Sequence, residues 1–186
     1  MARKALIYLG LITLALASAA GVGRAQQRQQ LRQIEAALGS QVPGLHCVDR
    51  NFAVSAQPED AAYGLLASHG FRTVVSLRTS SEGFDLDHQR QLVEKAGMQF
   101  INIPVSASDP KVSQAEEFLK VARDCSNFPM LITCASGNRA AGFWAIYRIA
   151  VQGWDQDRAL SEAEAVGLSN PVTRKFVVAY VADQRP

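Results

Sequence analysis

Met130-Leu-Ile-Thr-Cys134-Ala-Ser-Gly-Asn-Arg139-Ala-Ala-Gly-Phe-Trp-Ala-Ile-Tyr-Arg148 is the stretch that decides the fold. The apolar run Met130 to Thr133 reads as a buried strand. It delivers Cys134 into a turn of small residues, Ala135, Ser136, Gly137 and Asn138, and Arg139 then opens an apolar helix. Small residues let successive backbone N–H groups converge at a helix N-terminus, which makes a cradle for an anion. The same positive end, with a guanidinium beside it, favours a thiolate and hence a nucleophile. A free Cys is most often a small buried hydrophobe, but a Gly-bearing turn followed by Arg points to chemistry. A cation at a helix start opposes the dipole, so Arg139 reads as a clamp for oxyanions.

Outward from this stretch, strands alternate with helices. Gly44 to Ser55 reads as one or two short strands around a turn at Asp49-Arg50-Asn51. Pro58 suits the first turn of a helix that Gly70 closes. Phe71 to Leu77 is a β-branched run, ending at Arg78 and a polar stretch to Asp87. A helix over about 86–96 stops at Gly97, and Phe100 to Val105 resumes strand character. Ser113 with Glu116 reads as a capping box ahead of the face Ala115, Phe118, Leu119 and Ala122. Beyond Gly153, Asp155 caps one helix, and Asn170-Pro171 opens a last one with Val172, Phe176, Ala179 and Tyr180 as its apolar face. Apolar strands alternating with helices predict an α/β fold, a mainly parallel central sheet flanked by helices. Ligands of such sheets bind beyond the carboxyl ends of the strands. Arg78, the loop holding Asp109, and Cys134 all follow strand ends, which places them at one rim.

The chain resembles the cysteine-dependent phosphatases, specifically bacterial dual-specificity and tyrosine-phosphatase-like proteins of the beta-lactamase-hydrolase-like group. The resemblance covers about Val54 to Val178. Besides the cradle it includes Val54-Ser-Ala-Gln-Pro58, Val74-Val-Ser-Leu-Arg78, Ile103-Pro-Val105 before an acidic loop, and Gly153-Trp154 through Glu162 to Gly167. It implies that Cys134 attacks phosphorus, Arg139 clamps the equatorial oxygens, and the backbone of Ala135, Ser136, Gly137 and Asn138 binds phosphate. An Asp from a separate loop, here Asp109, would protonate the leaving group. The rival reading of Asp109 is an Asp-Pro turn. Arg78 and Glu82 stand as weaker candidates, for substrate contact or loop anchoring.

Three features depart from the family pattern. The loop has four residues between Cys and Arg where five are usual. Thr133 stands where a His often precedes the Cys, and Ala140 where a hydroxyl residue usually follows the Arg. A four-residue spacing also occurs in rhodanese-like sulfurtransferases, so the loop alone leaves open a Cys134 persulfide, or a non-catalytic phosphate or phosphoprotein binder. The phosphatase is the favoured expectation: phosphate monoesters, whether protein phosphotyrosine or small phosphoesters, hydrolysed through a cysteinyl-phosphate without cofactor.

The chain has 186 residues, 48% of them apolar, with a formal charge of +2. Of its 19 basic residues, Arg3, Lys4 and Arg24 fall in the first 25, which hold no acid. The remainder is near neutral and carries no nucleic-acid footprint. Arg3 and Lys4, the apolar run Ala5 to Ala20, and small-residue sites at Ala17-Ser-Ala19 and Gly23-Arg-Ala25 follow the order of a secretory signal. Residues 1–25 are therefore expected to be a signal peptide or an uncleaved anchor, 26–43 a linker or amphipathic segment, and 44–186 the phosphatase-like domain. The domain is expected outside the cytoplasm, periplasmic or otherwise extracytoplasmic, with membrane contact only through an uncleaved N-terminus. Export would permit a disulfide between Cys47 and Cys125, and two buried thiols are the equal alternative. His46, His69 and His88 lack metal spacing, so no metal site is expected. Trp144, Tyr147 and Trp154 read as packing residues.

Overall fold

A computed structural model of the protein describes residues 23–183. The expected signal or anchor therefore lies largely outside the described residues. Helix α1 covers residues 23–38 and ends before Gly39. Its first two turns are mostly exposed, while Leu31, Ile34 and Leu38 face the body at helical spacing. Among the described residues, no helix is long and apolar enough to cross a membrane.

The order continues with β1 (His46–Cys47), β2 (Phe52–Ser55), α2 (Ala62–Ser68), β3 (Thr73–Ser76), α3 (Leu86–Lys95), β4 (Gln99–Asn102), α4 (Val112–Arg123), β5 (Met130–Thr133), α5 (Asn138–Ala150), α6 (Gln156–Ala165) and α7 (Pro171–Asp183). The sheet order is β1-β2-β5-β3-β4. β1 and β2 form an antiparallel hairpin, and every other pair is parallel. The hairpin turn is held by Asp49, whose carboxylate accepts from the N–H groups of Asn51 and Phe52 at 2.8 and 3.0 Å. β5, the strand that delivers Cys134, runs between β2 and β3 with all four residues buried.

Side chains alternate across a strand, so each strand feeds two cores. Phe52, Val54, Val75, Met130 and Ile132 join α4 to α7 on one face. Ala53, Val74, Phe100 and Leu131 join α1 to α3 on the other. Helix α5 is buried nearly all round, consistent with its unbroken apolar sequence.

Three sequence readings need correction. The helix after β2 begins at Ala62, not near Pro58, because Glu59 N–H is drawn back to the Gln41 carbonyl at 2.9 Å. The start of α4 is fixed two residues before the Ser113/Glu116 pair. There the Gln114 side chain accepts from Lys111 N–H at 2.8 Å. On α7 the buried face is Thr173, Val177, Tyr180 and Val181, and Val172 is exposed. The register follows from Gly142 of α5, which lets Thr173 approach so closely that a Cβ there would lie 2.4 Å from the Thr173 methyl.

Candidate active site

The rim at the carboxyl ends of β3, β4 and β5 is tied together by one side chain. Arg139 is 4% exposed and sends Nη1 to the carbonyls of Leu77, after β3, and Val105, after β4, at 3.0 and 2.6 Å. Glu82 takes the end-on edge of the guanidinium, with Nη1 to Oε1 at 2.6 Å and Nη2 to Oε2 at 2.8 Å. Among the described residues, no oxygen accepts from Nε–H or the Nη2–H beside it, and the Cys134 sulfur is the guanidinium's remaining neighbour. These two parallel donors are the side-on fork that fits two oxygens of a phosphoryl group.

Glu82 closes a short 3₁₀ turn (Ser80–Glu82) whose capping box it shares with Thr79: Glu82 Oε1 accepts from Thr79 N–H at 2.9 Å. Burial alone would raise its pKa. The Arg139 hydrogen bonds and charge, with the Thr79 N–H and hydroxyl, overcome that and hold it down to about 2. For Arg139, burial disfavours the charge, yet Glu82 and the nearby Cys134 hold its pKa above the ordinary value. The clamp is therefore a permanently charged pair set into the rim.

Cys134 follows β5 directly and is fully buried beneath the loop. Gly137 turns the loop into α5 with φ of 86°, a left-handed conformation that an L side chain adopts only with strain. A Cβ at Gly137 would also press on the Ser55–Ala56 backbone at 3.4–3.5 Å. The N–H groups of residues 135–138 donate to no acceptor among the described residues, as expected of a cradle. Thr133, in place of the usual His, donates to the Ala56 carbonyl at 2.7 Å and so ties β5 to the segment after β2. Ala140 is buried and offers the sulfur no donor. Asn138 fixes the far side of the loop. Its Oδ1 accepts from the N–H groups of Ser169 and Asn170 at 3.1 and 2.8 Å, and its Nδ2 donates to Ser169 Oγ at 2.8 Å.

Above the loop lies a cavity of about 400 Å³, lined by Ala135, Ser136, Asn138 and Arg139 below and by polar residues of three neighbouring segments. The structure brings the loop, Arg139 and Glu82 to this cavity and sets Cys134 against Arg139, fully buried and not itself part of the lining. It does not bring in the other two candidates. Arg78 pairs with Glu82 at 3.0 Å and lies over the Phe84 ring at 4.1 Å, outside the cavity lining. The Asp109 side chain is 67% exposed and paired with Lys111, although its neighbour Ser108 lines the cavity.

Sequence reasoning ranked Glu82 low and missed the bridging role of Asn138. Glu82 carried a signal in Thr79-x-x-Glu82, which has the form of a capping box. Asn138 carried none, because its partners lie 31 and 32 positions away. All three cysteines are free thiols, with burial pushing that of Cys47 up to about 12. Among the described residues, no group of His, Cys, Asp and Glu is placed to hold a metal.

Residues 46–176 match the family described as DSP-PTPase phosphatase fused to NAD+ kinase. Over 132 residues the chain is 33% identical to the dual specificity protein phosphatase TpbA of Pseudomonas aeruginosa, covering 68% of this chain and 56% of that protein. The chain thus spans little more than half the length of the curated relatives it matches. The crystal structure of P. aeruginosa TpbA superposes with a TM-score of 0.62 at 27% identity, covering 76% of this chain and 85% of the other. A cysteine-to-serine form of TpbA in complex with pTyr gives 0.60 at 27%, covering 74% and 82%. A DUF442 protein from Shewanella putrefaciens CN-32 shares the fold at a TM-score of 0.67 and 21% identity, covering 79% and 94%.

Proposed function

The chain belongs to the DSP-PTPase cysteine phosphatases, and on that premise we propose that it hydrolyses phosphate monoesters through a cysteinyl-phosphate intermediate. The observation that carries this reading is the side-on edge of Arg139, which Glu82 and two carbonyls fix beside Cys134 while two of its N–H donors meet no protein oxygen. Cys134 Sγ attacks phosphorus. The S–P bond forms as the ester P–O bond breaks, and the leaving oxygen takes a proton from Asp109. Water then attacks the phosphocysteine and gives a proton back to the Asp109 carboxylate as the S–P bond breaks, releasing inorganic phosphate and regenerating the thiolate.

The phosphoryl group in flight spreads charge over three equatorial oxygens, and stabilising them is most of the catalytic task. A four-residue loop offers one backbone N–H fewer than the usual five, so Arg139 carries a larger share. Ala140 withholds a hydroxyl from the thiolate. Both features argue for slow turnover. Asp109 is the acid in this reading, and since its side chain is 67% exposed and paired with Lys111, it acts only where that pair is broken. The pTyr bound by the TpbA variant supports phosphotyrosine as one substrate class, and small phosphoesters are the other.

Export belongs to the same proposal and is supported by the Arg3/Lys4 start, the apolar run and the small-residue sites. Mass spectrometry of the protein recovered from its own cell should find a mature N-terminus near Ala20 or Gln26, or an intact Met1 in the membrane. An intact Met1 on a soluble cytoplasmic protein would overturn it.

The activity is tested by pairing two assays: phosphate release from an aryl phosphate, and sulfur transfer from thiosulfate to cyanide. Phosphate release that disappears in a folded Cys134→Ser variant is the expected result. Sulfur transfer with no phosphate release from any ester would overturn it.

A further inference from the structure

The walls above the cradle carry information about the group to which the phosphate is attached. Thr79 and Ser81 come from the turn after β3, Ser106 and Ser108 from the loop after β4, and Asn170 and Thr173 from the start of α7. All six are polar and uncharged. The described lining contains no aromatic ring, no large aliphatic side chain and no lysine, and its one cation, Arg139, is already paired with Glu82.

This composition discriminates among phosphate esters. An aryl ester gains most of its affinity from an apolar or aromatic slot for the ring. An acyl-chain ester needs an apolar wall. A polyphosphate brings more negative charge than one half-compensated guanidinium can match. A ligand rich in hydroxyls, by contrast, exchanges hydrogen bonds to water for bonds to wall hydroxyls of the same kind.

The walls are also poised to make those bonds. A hydroxyl is one donor and two acceptors. Ser106 and Ser108 lie 3.1 Å apart and share one hydrogen bond, so that pair keeps one donor and several lone pairs. Across the cavity Thr79 donates to Glu82 at 3.1 Å and lies 2.8 Å from Ser81, which keeps acceptor lone pairs. The walls thus offer both donors and acceptors above a single phosphate cradle. The volume of about 400 Å³ is at the small end of the range of ligand pockets, roughly 300–1,000 Å³.

Resting on the phosphatase reading, we propose that the site takes the monophosphate of a small polyhydroxylated alcohol, such as a sugar or polyol, in preference to aryl, acyl-chain or peptide phosphates. The test measures phosphate release by the purified full chain from a hexose 6-phosphate, n-hexyl phosphate, a phosphotyrosine peptide and p-nitrophenyl phosphate. The first two share a primary alkoxide leaving group and differ in their hydroxyls, so their ratio isolates the walls. We expect kcat/KM for the hexose phosphate to exceed that for hexyl phosphate at least tenfold. Tenfold is about 1.4 kcal/mol, the net worth of one or two hydrogen bonds. Ser108→Leu should reduce this ratio by raising KM for the sugar ester. A KM for the phosphotyrosine peptide below that for the hexose phosphate, or equal rates on hexose and hexyl esters, would overturn the inference while p-nitrophenyl phosphate turnover upheld the phosphatase. Failure to release phosphate from all four would overturn both.

Discussion

Helix α5 carries a buried arginine at each end, and the two are held in opposite ways. Arg148, in its last turn, is spent: Glu162 takes Nε and Nη2 at 2.7 Å each, Gln152 and the Val48 carbonyl take further donors, and Trp144 and Trp154 lie 4.2 and 3.9 Å from the guanidinium carbon. A cation there also agrees with the helix dipole. Arg139, in the first turn, opposes the dipole, and its side-on edge meets no oxygen among the described residues, with Cys134 as its neighbour. One arginine is a structural rivet and the other keeps an edge open for the binding role proposed for it. The same residue type, equally buried, serves either purpose according to how many of its five donors the protein consumes.

The comparison is broken or upheld first by the two lysine substitutions. Arg139→Lys removes the fork and should lower kcat on an aryl phosphate by about a hundredfold or more, comparable to losing an oxyanion donor. Arg148→Lys should cost thermal stability and leave kcat of the folded enzyme within about a factor of two, since a lysine cannot satisfy the Glu162 and Trp stacking geometry. Equal losses of kcat in both variants would erase the distinction.

The carboxylate partners sharpen it. Glu162→Ala strips Arg148 of two hydrogen bonds and the Trp144 indole of its one, at 2.8 Å, and should cost about 3–5 kcal/mol in urea denaturation with little change in kcat. Glu82→Gln keeps the shape but not the charge, and should cost less stability, about 2 kcal/mol, with kcat falling about tenfold as the guanidinium loosens. A kcat effect that followed Glu162 more than Glu82 would reverse the assignment.

How much of this was legible beforehand depends on the range of the interactions. The strand from Met130, the Cys134 turn, the Arg139 helix and the parallel sheet all follow from local periodicity and small residues, and each stands close to where the sequence puts it. The Asp155 cap likewise needs only its neighbours, Asp157 and Arg158. What was hidden is non-local. Glu82 gains its importance from Arg139, 57 positions on, and Asn138 from the 169–170 segment. Thr173 in place of Val172 on the inner face of α7 is set by one glycine on another helix. Asp109 shows the converse: a strand-end position and an acidic side chain suggest the site, whereas the side chain meets Lys111 instead.

That glycine offers a smaller test on the shared helix. Gly142→Ala puts a Cβ 2.4 Å from the Thr173 methyl, so α7 must shift, at about 1–3 kcal/mol. Adding Thr173→Ser removes that methyl and should recover most of the loss, measured by thermal denaturation. No recovery would mean that the strain lies elsewhere, for which Val177, 3.5 Å from the same position, is the remaining neighbour.

The smallest effect is in acid, and it separates the charge of the Glu82–Arg139 pair from its shape. The Glu82 pKa is lowered from 4.5 to about 2 in the folded protein. A carboxylate with a depressed folded pKa contributes stability that is complete above its unfolded value and is lost as pH falls through its folded one. Water still reaches about a quarter of the side chain, 24% exposed, so the contribution is discounted to about 2 kcal/mol. The stability gap between the wild type and Glu82→Gln should therefore be flat from neutrality to near pH 5. It should shrink to about half near pH 3 and close below pH 2, because a protonated Glu82 and a glutamine present similar neutral groups to Arg139. Urea titrations of the two proteins across that range measure the gap directly. A gap that did not narrow in acid would show that Glu82 holds Arg139 by shape and hydrogen bonding alone. The charge of the pair would then have no part in keeping the side-on edge of Arg139 turned toward the cradle.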